Sequence, residues 1–183
     1  MRFLSTEIPE VIVVESDVHR DGRGYFLETY QERRYREGGI AARFVQDNRS
    51  RSAMGTLRGL HAQERRPQGK LVQVVSGEIF DVAVDLRRDS PTFLRWVGVT
   101  LSAENARQCW VPPGFAHGFC VRSETADVEY KCTDYYDPAD ELRIAWDDPQ
   151  IAVAWPIDGP PTLSAKDRDA PRVRDLLDRL PRS

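Results

Sequence analysis

A chain of 183 residues with 40% hydrophobic and 30% charged side chains is long enough to bury a substantial core, and it reads as a single globular domain over residues 1–183. Its formal net charge of −3 arises from 26 basic and 29 acidic residues that are interspersed rather than blocked, so no cationic track for nucleic acid is present. Local clusters of cations still suit a small anionic ligand.

The opening segment, MRFLSTEIPEVIVVESDV, has its apolar run Val11 to Val14 interrupted by Glu15 and Asp17. No small-residue cleavage site follows, and no stretch nears the ~20 apolar residues of a membrane span, so a cytoplasmic protein without membrane contact is expected. Cys109, Cys120 and Cys132 form an odd set without CxxC spacing, which predicts reduced, buried thiols.

In chain order, VIVVES (11–16) and GYFLETY (24–30) favour strands, and QERRYREGG (31–39) predicts a short exposed helix closed by Gly38 or Gly39. Further β-rich runs are KLVQVV (70–75), EIFDVAVDL (78–86), RWVGVTL (95–101), QCWVP (108–112), GFCVR (118–122) and DVEYKCTDYY (127–136). RVRDLLDRL (172–180) predicts a terminal helix of two to three turns. Many short strands joined by turns, with no internal repeat, point to an all-β sandwich or barrel.

The stretch GTLRGLHAQERRPQGKLVQVVSGEIFDVAVD (55–85) sets Arg58, His61, Lys70 and Asp81 among apolar residues, where unpaired charge is costly. With Ser76-Gly77 as a two-residue turn, Val75 opposes Glu78, Gln73 opposes Phe80, and Leu71 opposes Val82. Lys70, Val72, Val74, Ile79, Asp81 and Ala83 then share one face, and Lys70 and Asp81 become diagonal neighbours. Phe80, Val82 and Val84 occupy the face expected on the core. A polar wall lining a cavity explains this pattern, and so does a purely structural salt bridge.

Three histidines are present: His19 in a polar turn, and His61 and His117, each close to glycine, which permits close approach of a backbone or ligand. Metal binding fits poorly. Ala62 and Gln63 follow His61, so no second histidine stands two residues on, and the nearby cations Arg58 and Lys70 oppose a divalent ion. There is no GxSxG elbow, no GxxxxGK[ST] loop and no strand–GxGxxG–helix unit, so neither a serine nucleophile nor a nucleotide cofactor is indicated. Cofactor-free acid–base chemistry on an anionic ligand remains, with a His base, a Tyr acid and a cation for an oxyanion.

The motifs DGRGYFLETY, FVQDNRSRS, GTLRGLHAQ, QGKLVQVVSGEIFDVAVDLRRDSPTF, LSAEN, VPPGFAHGF, YKCTDYYDP, IAWDDP and LSAKD occur in this order from about residue 10 to residue 168. The chain thereby resembles the dTDP-4-dehydrorhamnose 3,5-epimerase family. The resemblance implies a cupin-like jelly-roll β-barrel with a few short peripheral helices, and a homodimer whose N-terminal strands contribute across the interface. It implies no metal and no cofactor. The implied substrate is dTDP-4-dehydro-6-deoxy-D-glucose, a dTDP-4-keto-6-deoxy sugar, inverted at C3 and C5.

By the same matching, His61 is the base, paired with Asp167; Tyr130 is the proton donor on the opposite face; and Lys70 stabilises the enolate oxygen at C4. Arg23, Glu28, Gln46, Asn48, Arg58, His117, Glu141 and Lys166 hold the nucleotide sugar, and Tyr136 stacks on the thymine. Read one at a time, Tyr130 also suits a β-core, Asp167 a helix N-cap, and Gln46 and Asn48 turn hydrogen bonds. Three positions depart from the family pattern: Ala62 where an aromatic residue is usual, Leu94 where glycine is usual, and Glu129 where the position is usually more apolar. Such departures also suit a relative that inverts only one carbon of a modified deoxysugar. A metal-dependent cupin enzyme using His61 and His117, and a non-catalytic sugar-nucleotide binding protein, are the other readings.

Overall fold

The computed structural model describes residues 1–182. Near the N-terminus lie β1 (Arg2–Ser5), β2 (Ile12–Glu15), β3 (Val18–Asp21), β4 (Gly24–Leu27) and the helix α1 (Glu32–Glu37). The central part supplies β5 (Gln46–Ala53), β6 (Leu57–Gln63), β7 (Lys70–Ser76), β8 (Glu78–Asp85), β9 (Trp96–Ser102), β10 (Arg107–Val111), β11 (Phe115–Val121) and β12 (Thr125–Cys132). β13 (Glu141–Arg143), the short helix α2 (Ala165–Arg168) and two 3₁₀ turns complete the order.

Two antiparallel sheets face each other: a six-stranded sheet in the order β1-β2-β10-β7-β12-β5 and a five-stranded sheet in the order β13-β6-β11-β8-β9. β3 and β4 form a separate two-stranded ribbon. Val72 and Val74 from one sheet meet Ile79, Ala83, Phe115 and Phe119 from the other in a core between them. This is the jelly-roll arrangement implied by the resemblance. Outside the five-stranded sheet, Val82, Val84, Ala116 and Leu142 pack against Val173, Leu176 and Leu180 of the C-terminal segment. Outside the six-stranded sheet, Ile12, Leu71 and Trp110 pack against Tyr35 of α1. Both apolar faces of β8 are therefore covered, as expected of a strand buried between layers.

That burial corrects the hairpin reading of residues 70–85. β7 pairs with β10 and β12, whereas β8 pairs with β11 and β9. At Ser76-Gly77 the chain crosses from one sheet to the other. Gly77 has φ +80°, and a Cβ there would lie 2.0 Å from Thr125 O, so the glycine serves a tight sheet corner. The grouping of faces survives because alternation along a strand is local, and the predicted inward set faces the barrel interior from opposite walls.

α1 forms as expected. The Gln31 side chain accepts from Arg34 N at its start, and Gly38 closes it. The predicted terminal helix is instead two 3₁₀ turns, Val173–Asp175 and Leu177–Arg179. Val173, Leu176 and Leu180 keep helical spacing and are all buried, but Leu176 N bonds Val173 O at 3.0 Å and Arg179 N bonds Leu176 O at 2.8 Å, the tighter i→i+3 pattern.

β5 has no sequence signal of an apolar strand, and the reason is functional geometry. Gln46, Asn48 and Ser50 face the interior cavities. On the outer side Arg49 pairs with Glu129, Lys131 with Asp47, and Arg51 with Asp127. The three cysteines are free and buried, and His19 is exposed. Among the described residues no helix is long and apolar enough to cross a membrane.

β6 and β11 approach most closely where Gly59 faces Gly118. Gly59 has φ +129°, and a Cβ on it would stand 2.6 Å from Gly118 Cα and 2.9 Å from His117 O. Neither backbone has room to retreat, because β11 is bonded on its other side to β8. Gly59→Ala is therefore expected to destabilise the fold by more than about 2 kcal/mol, read as a lowered midpoint in urea unfolding; an unchanged midpoint would refute this account of the strand contact.

Candidate active site

Two adjoining cavities of about 340 and 230 Å³ open in the barrel, and His61, Lys70, Tyr130 and Glu141 line both. β6 supplies Arg58 and His61, β7 Lys70, β11 His117, β12 Tyr130 and α2 Asp167. The two histidines are cross-strand neighbours.

His61 Nε2 lies 2.5 Å from Asp167 Oδ1, and the Asp167 side chain is only 5% exposed. Ser164 caps α2: its Oγ accepts from Asp167 N at 3.1 Å and donates to Asp167 Oδ2 at 2.8 Å. Asp167 is thus the capped residue and Ser164 the cap, which corrects the N-cap reading of Asp167. Burial alone would raise the Asp167 carboxyl, but the His61, Ser164 and Gly59 N–H contacts outweigh it and hold the group below the usual aspartate value. The dyad's carboxylate is therefore charged at neutral pH.

His117 repeats the pattern, with Nε2 2.7 Å from Asp81 Oδ1. Asp81 is fully buried, and its Oδ2 has no hydrogen-bond partner. Sequence pairing predicts Lys70 beside Asp81 in one sheet; instead the two sit on opposite sheets, and Asp81 engages His117. Burial pushes the Lys70 ammonium below the usual lysine range, partly offset by Cys132, Asp81 and Glu141. Burial likewise raises the Tyr130 phenol, with Arg58 opposing, so the hydroxyl keeps its proton at neutral pH.

The remaining expected residues divide by position. Arg58, with Nε 3.0 Å from Ser52 Oγ, and His117 and Lys166 line the larger cavity; Gln46, Asn48 and Tyr136 line the smaller. Tyr136 Oη donates to Glu141 Oε1 at 3.2 Å, and Lys166 Nζ stands 3.8 Å from Glu141 Oε2. Arg23 and Glu28 are the exceptions, lining neither cavity of their own chain. Arg23 is paired with Asp21 in the β3–β4 ribbon, and Glu28 with Arg34. Ser164, Gln63 and Gln68 also line these cavities and were not among the expected residues. Gln63 carried a usable signal: it stands two residues beyond His61 on the same strand and so shares its face.

No three His, Cys, Asp or Glu side chains converge in a metal-binding group among the described residues. Each inward histidine instead has its Nε2 engaged by its own carboxylate.

The family model described as dTDP-4-dehydrorhamnose 3,5-epimerase matches residues 5–175. The chain belongs to that family. A Pseudomonas aeruginosa dTDP-4-dehydrorhamnose 3,5-epimerase is 53% identical over 176 residues, covering 96% of this chain and 97% of that protein. A Neisseria gonorrhoeae relative of the same name is 52% identical over 167 residues, covering 91% of this chain; the chain spans only 51% of that longer protein. A crystal structure of the Legionella pneumophila dTDP-6-deoxy-D-glucose-3,5-epimerase in complex with dTDP-4-keto-L-rhamnose superposes with TM-score 0.96 at 52% identity, covering 100% of this chain and 98% of that one.

Of the three departures from the family pattern, two lie outside both cavities. Glu129 faces outward, taking hydrogen bonds from Arg49 and Gln73, while its neighbour Tyr130 faces the cavity. Leu94 has φ +62°, a left-handed conformation that explains the usual glycine; its side chain packs on the outer cluster. Ala62 packs on that cluster too and also borders the smaller cavity.

Asp81→Asn removes a negative neighbour of Lys70. The Lys70 side chain, followed by NMR titration, is expected to lose its proton below the ordinary ~10.4 of lysine in the parent protein and at still lower pH in the variant. An unchanged Lys70 titration would show that the field of Asp81 does not reach it.

Proposed function

We propose that this chain catalyses the 3,5-epimerisation of dTDP-4-dehydro-6-deoxy-D-glucose to dTDP-4-dehydro-L-rhamnose, without metal or cofactor. One observation carries the reading: an Asp-bound imidazole, an ammonium and a phenol, His61, Lys70 and Tyr130, share one cavity.

The chemistry follows from their protonation. With Nε2 bonded to the Asp167 carboxylate, a neutral His61 keeps its hydrogen there and leaves the Nδ1 lone pair as the base. The C3 and C5 protons flank the C4 ketone, so removing either one makes an enolate with its charge on O4. Lys70 stabilises that charge as it forms, and Asp167 stabilises the imidazolium that results. Tyr130, still protonated, returns a proton to the opposite face, and the carbon is inverted. Arg58, Asn48, Glu141 and Lys166 hold the sugar nucleotide, with His117 beside the sugar and Tyr136 against the thymine.

The N-terminal strands supply the remaining contacts in a homodimer. The β3–β4 ribbon exposes Tyr25 at 60% and Phe26 at 70%, a patch that favours a partner surface. β5, which lines the cavities, is one of the two edge strands of its sheet, and such edges favour strand addition. Arg23 and Glu28 on one protomer reach the site of the other.

In deuterated water the parent enzyme should label both C3 and C5 of the sugar. His61→Ala should abolish exchange at both carbons, a loss of about 10²–10⁴-fold or more, while retaining dTDP affinity. Tyr130→Phe should retain exchange but impair inversion; full turnover in that variant would remove its donor role. The shared-site dimer has its own test, in which Arg23→Ala and His61→Ala chains are mixed. Hybrid dimers carry one complete site, so activity should recover to about one quarter of the parent value; no recovery would refute the exchange of Arg23 between protomers.

A further inference from the structure

Residues 133–140, between β12 and β13, form no ladder, yet Tyr136 stands among them on the wall of the smaller cavity. Irregular backbone must find partners for its N–H and C=O groups. Some pair with backbone or with the segment's own aspartates, but on either side of Tyr136 glutamine side chains from three places in the barrel take part. Gln68 Nε2 donates to Asp134 O at 2.7 Å, and Gln63 Nε2 to Tyr135 O at 3.3 Å. Gln46 Oε1 accepts from Tyr136 N at 3.0 Å, and Gln63 Oε1 from Asp137 N at 2.7 Å.

We propose that Gln63 and Gln68 are positioning residues, a buried amide clamp that holds Tyr136 ready for the thymine of the substrate. This rests on the reading of Tyr136 given above and extends it to two residues on the wall of the same cavity, which act through the loop they bond. The chain itself is exposed here, Tyr135 at 60% and Tyr136 at 45%, so water would satisfy its polar groups as it does in most surface loops. Gln63 and Gln68, by contrast, are 4% and 7% exposed. Buried amides holding an exposed loop fix where the loop sits.

The residue type matters as much as the place. A carboxamide accepts and donates at once while staying neutral. Gln63 uses both abilities around Tyr136 and sends a further bond to Arg66 O at 2.8 Å. Glutamate in its place would lose the donors and bring charge beside Asp137. Gln46 extends the clamp: its Nε2 donates to Asn48 Oδ1 at 3.0 Å, tying the Tyr136 backbone to a second cavity residue. With the ring already ordered, binding incurs less conformational entropy loss.

The test is a double-mutant cycle with Gln63→Leu and Tyr136→Ala, read as kcat and KM for the nucleotide sugar and as dTDP affinity. Gln63→Leu is expected to raise KM and weaken dTDP binding by roughly three- to tenfold, with kcat changed less than about twofold. In the Tyr136→Ala background the same change should have less than about a twofold effect. A kcat loss matching that in kcat/KM, or a full effect persisting without the Tyr136 ring, would overturn the proposal. Gln68→Leu, which removes a single bond, gives the same readout if Gln63→Leu does not fold. Failure of the epimerase reading is separate: it appears as no deuterium exchange in the parent enzyme, whatever the glutamine variants do.

Discussion

The 2.5 Å contact between His61 Nε2 and Asp167 Oδ1 joins the barrel wall to a segment 106 residues further along the chain. The chain beyond β13 returns along β6 and brings Asp167 of α2 to this contact. Leu57 N bonds Thr162 O at 3.0 Å, and Thr162 N bonds Gly55 O at 2.8 Å, fastening the returning chain beside β6. Ser164 then caps α2 and orients the Asp167 carboxylate. Beyond it, Val173, Leu176 and Leu180 seal against the outer face of the five-stranded sheet. One C-terminal segment thus supplies both the carboxylate that engages His61 inside the barrel and the apolar residues that cover the outer face.

Holding charge in that interior is costly, and the placement of neighbours limits the cost. Lys70 is held with its ammonium below its ordinary range. A cation whose folded pKa is depressed binds fewer protons folded than unfolded between the two values, so folding is disfavoured at lower pH and the penalty is relieved as pH rises through the folded value. Asp81 and Glu141 reduce that penalty by their charge without closing a salt bridge onto the amine. The Lys70 amine therefore lines the cavity without a carboxylate closed onto it.

The clamp around Tyr136 follows the same logic on a neutral scale. Gln63 follows His61 on one face of β6, and Gln68 immediately precedes the Gly69-Lys70 step into β7. The strands that carry His61 and Lys70 into the cavity therefore also carry or adjoin the amides that bond the Tyr136 segment. Strand register couples the two placements, and a slip of one residue in β6 would turn both His61 and Gln63 to the other face.

Much of this was legible in the sequence because alternation along a strand is a local property. Strands β2, β4 and β7 to β12, the inward set Lys70, Val72, Val74, Ile79, Asp81 and Ala83, the capped helix α1 and the buried thiols all follow from residue type and spacing, and the long motifs carried the family and the dyad of His61 with Asp167. Pairing was not legible. Whether β7 and β8 share a sheet depends on packing against β12 at Gly77, so the partner of Asp81 became His117 and not Lys70. β5 was hidden because its inner face is polar, and the terminal 3₁₀ turns because their spacing matches that of an α-helix. Local chemistry determined which side chains turn inward; only the tertiary structure decided which of them meet, since meeting depends on contacts between segments far apart in the chain.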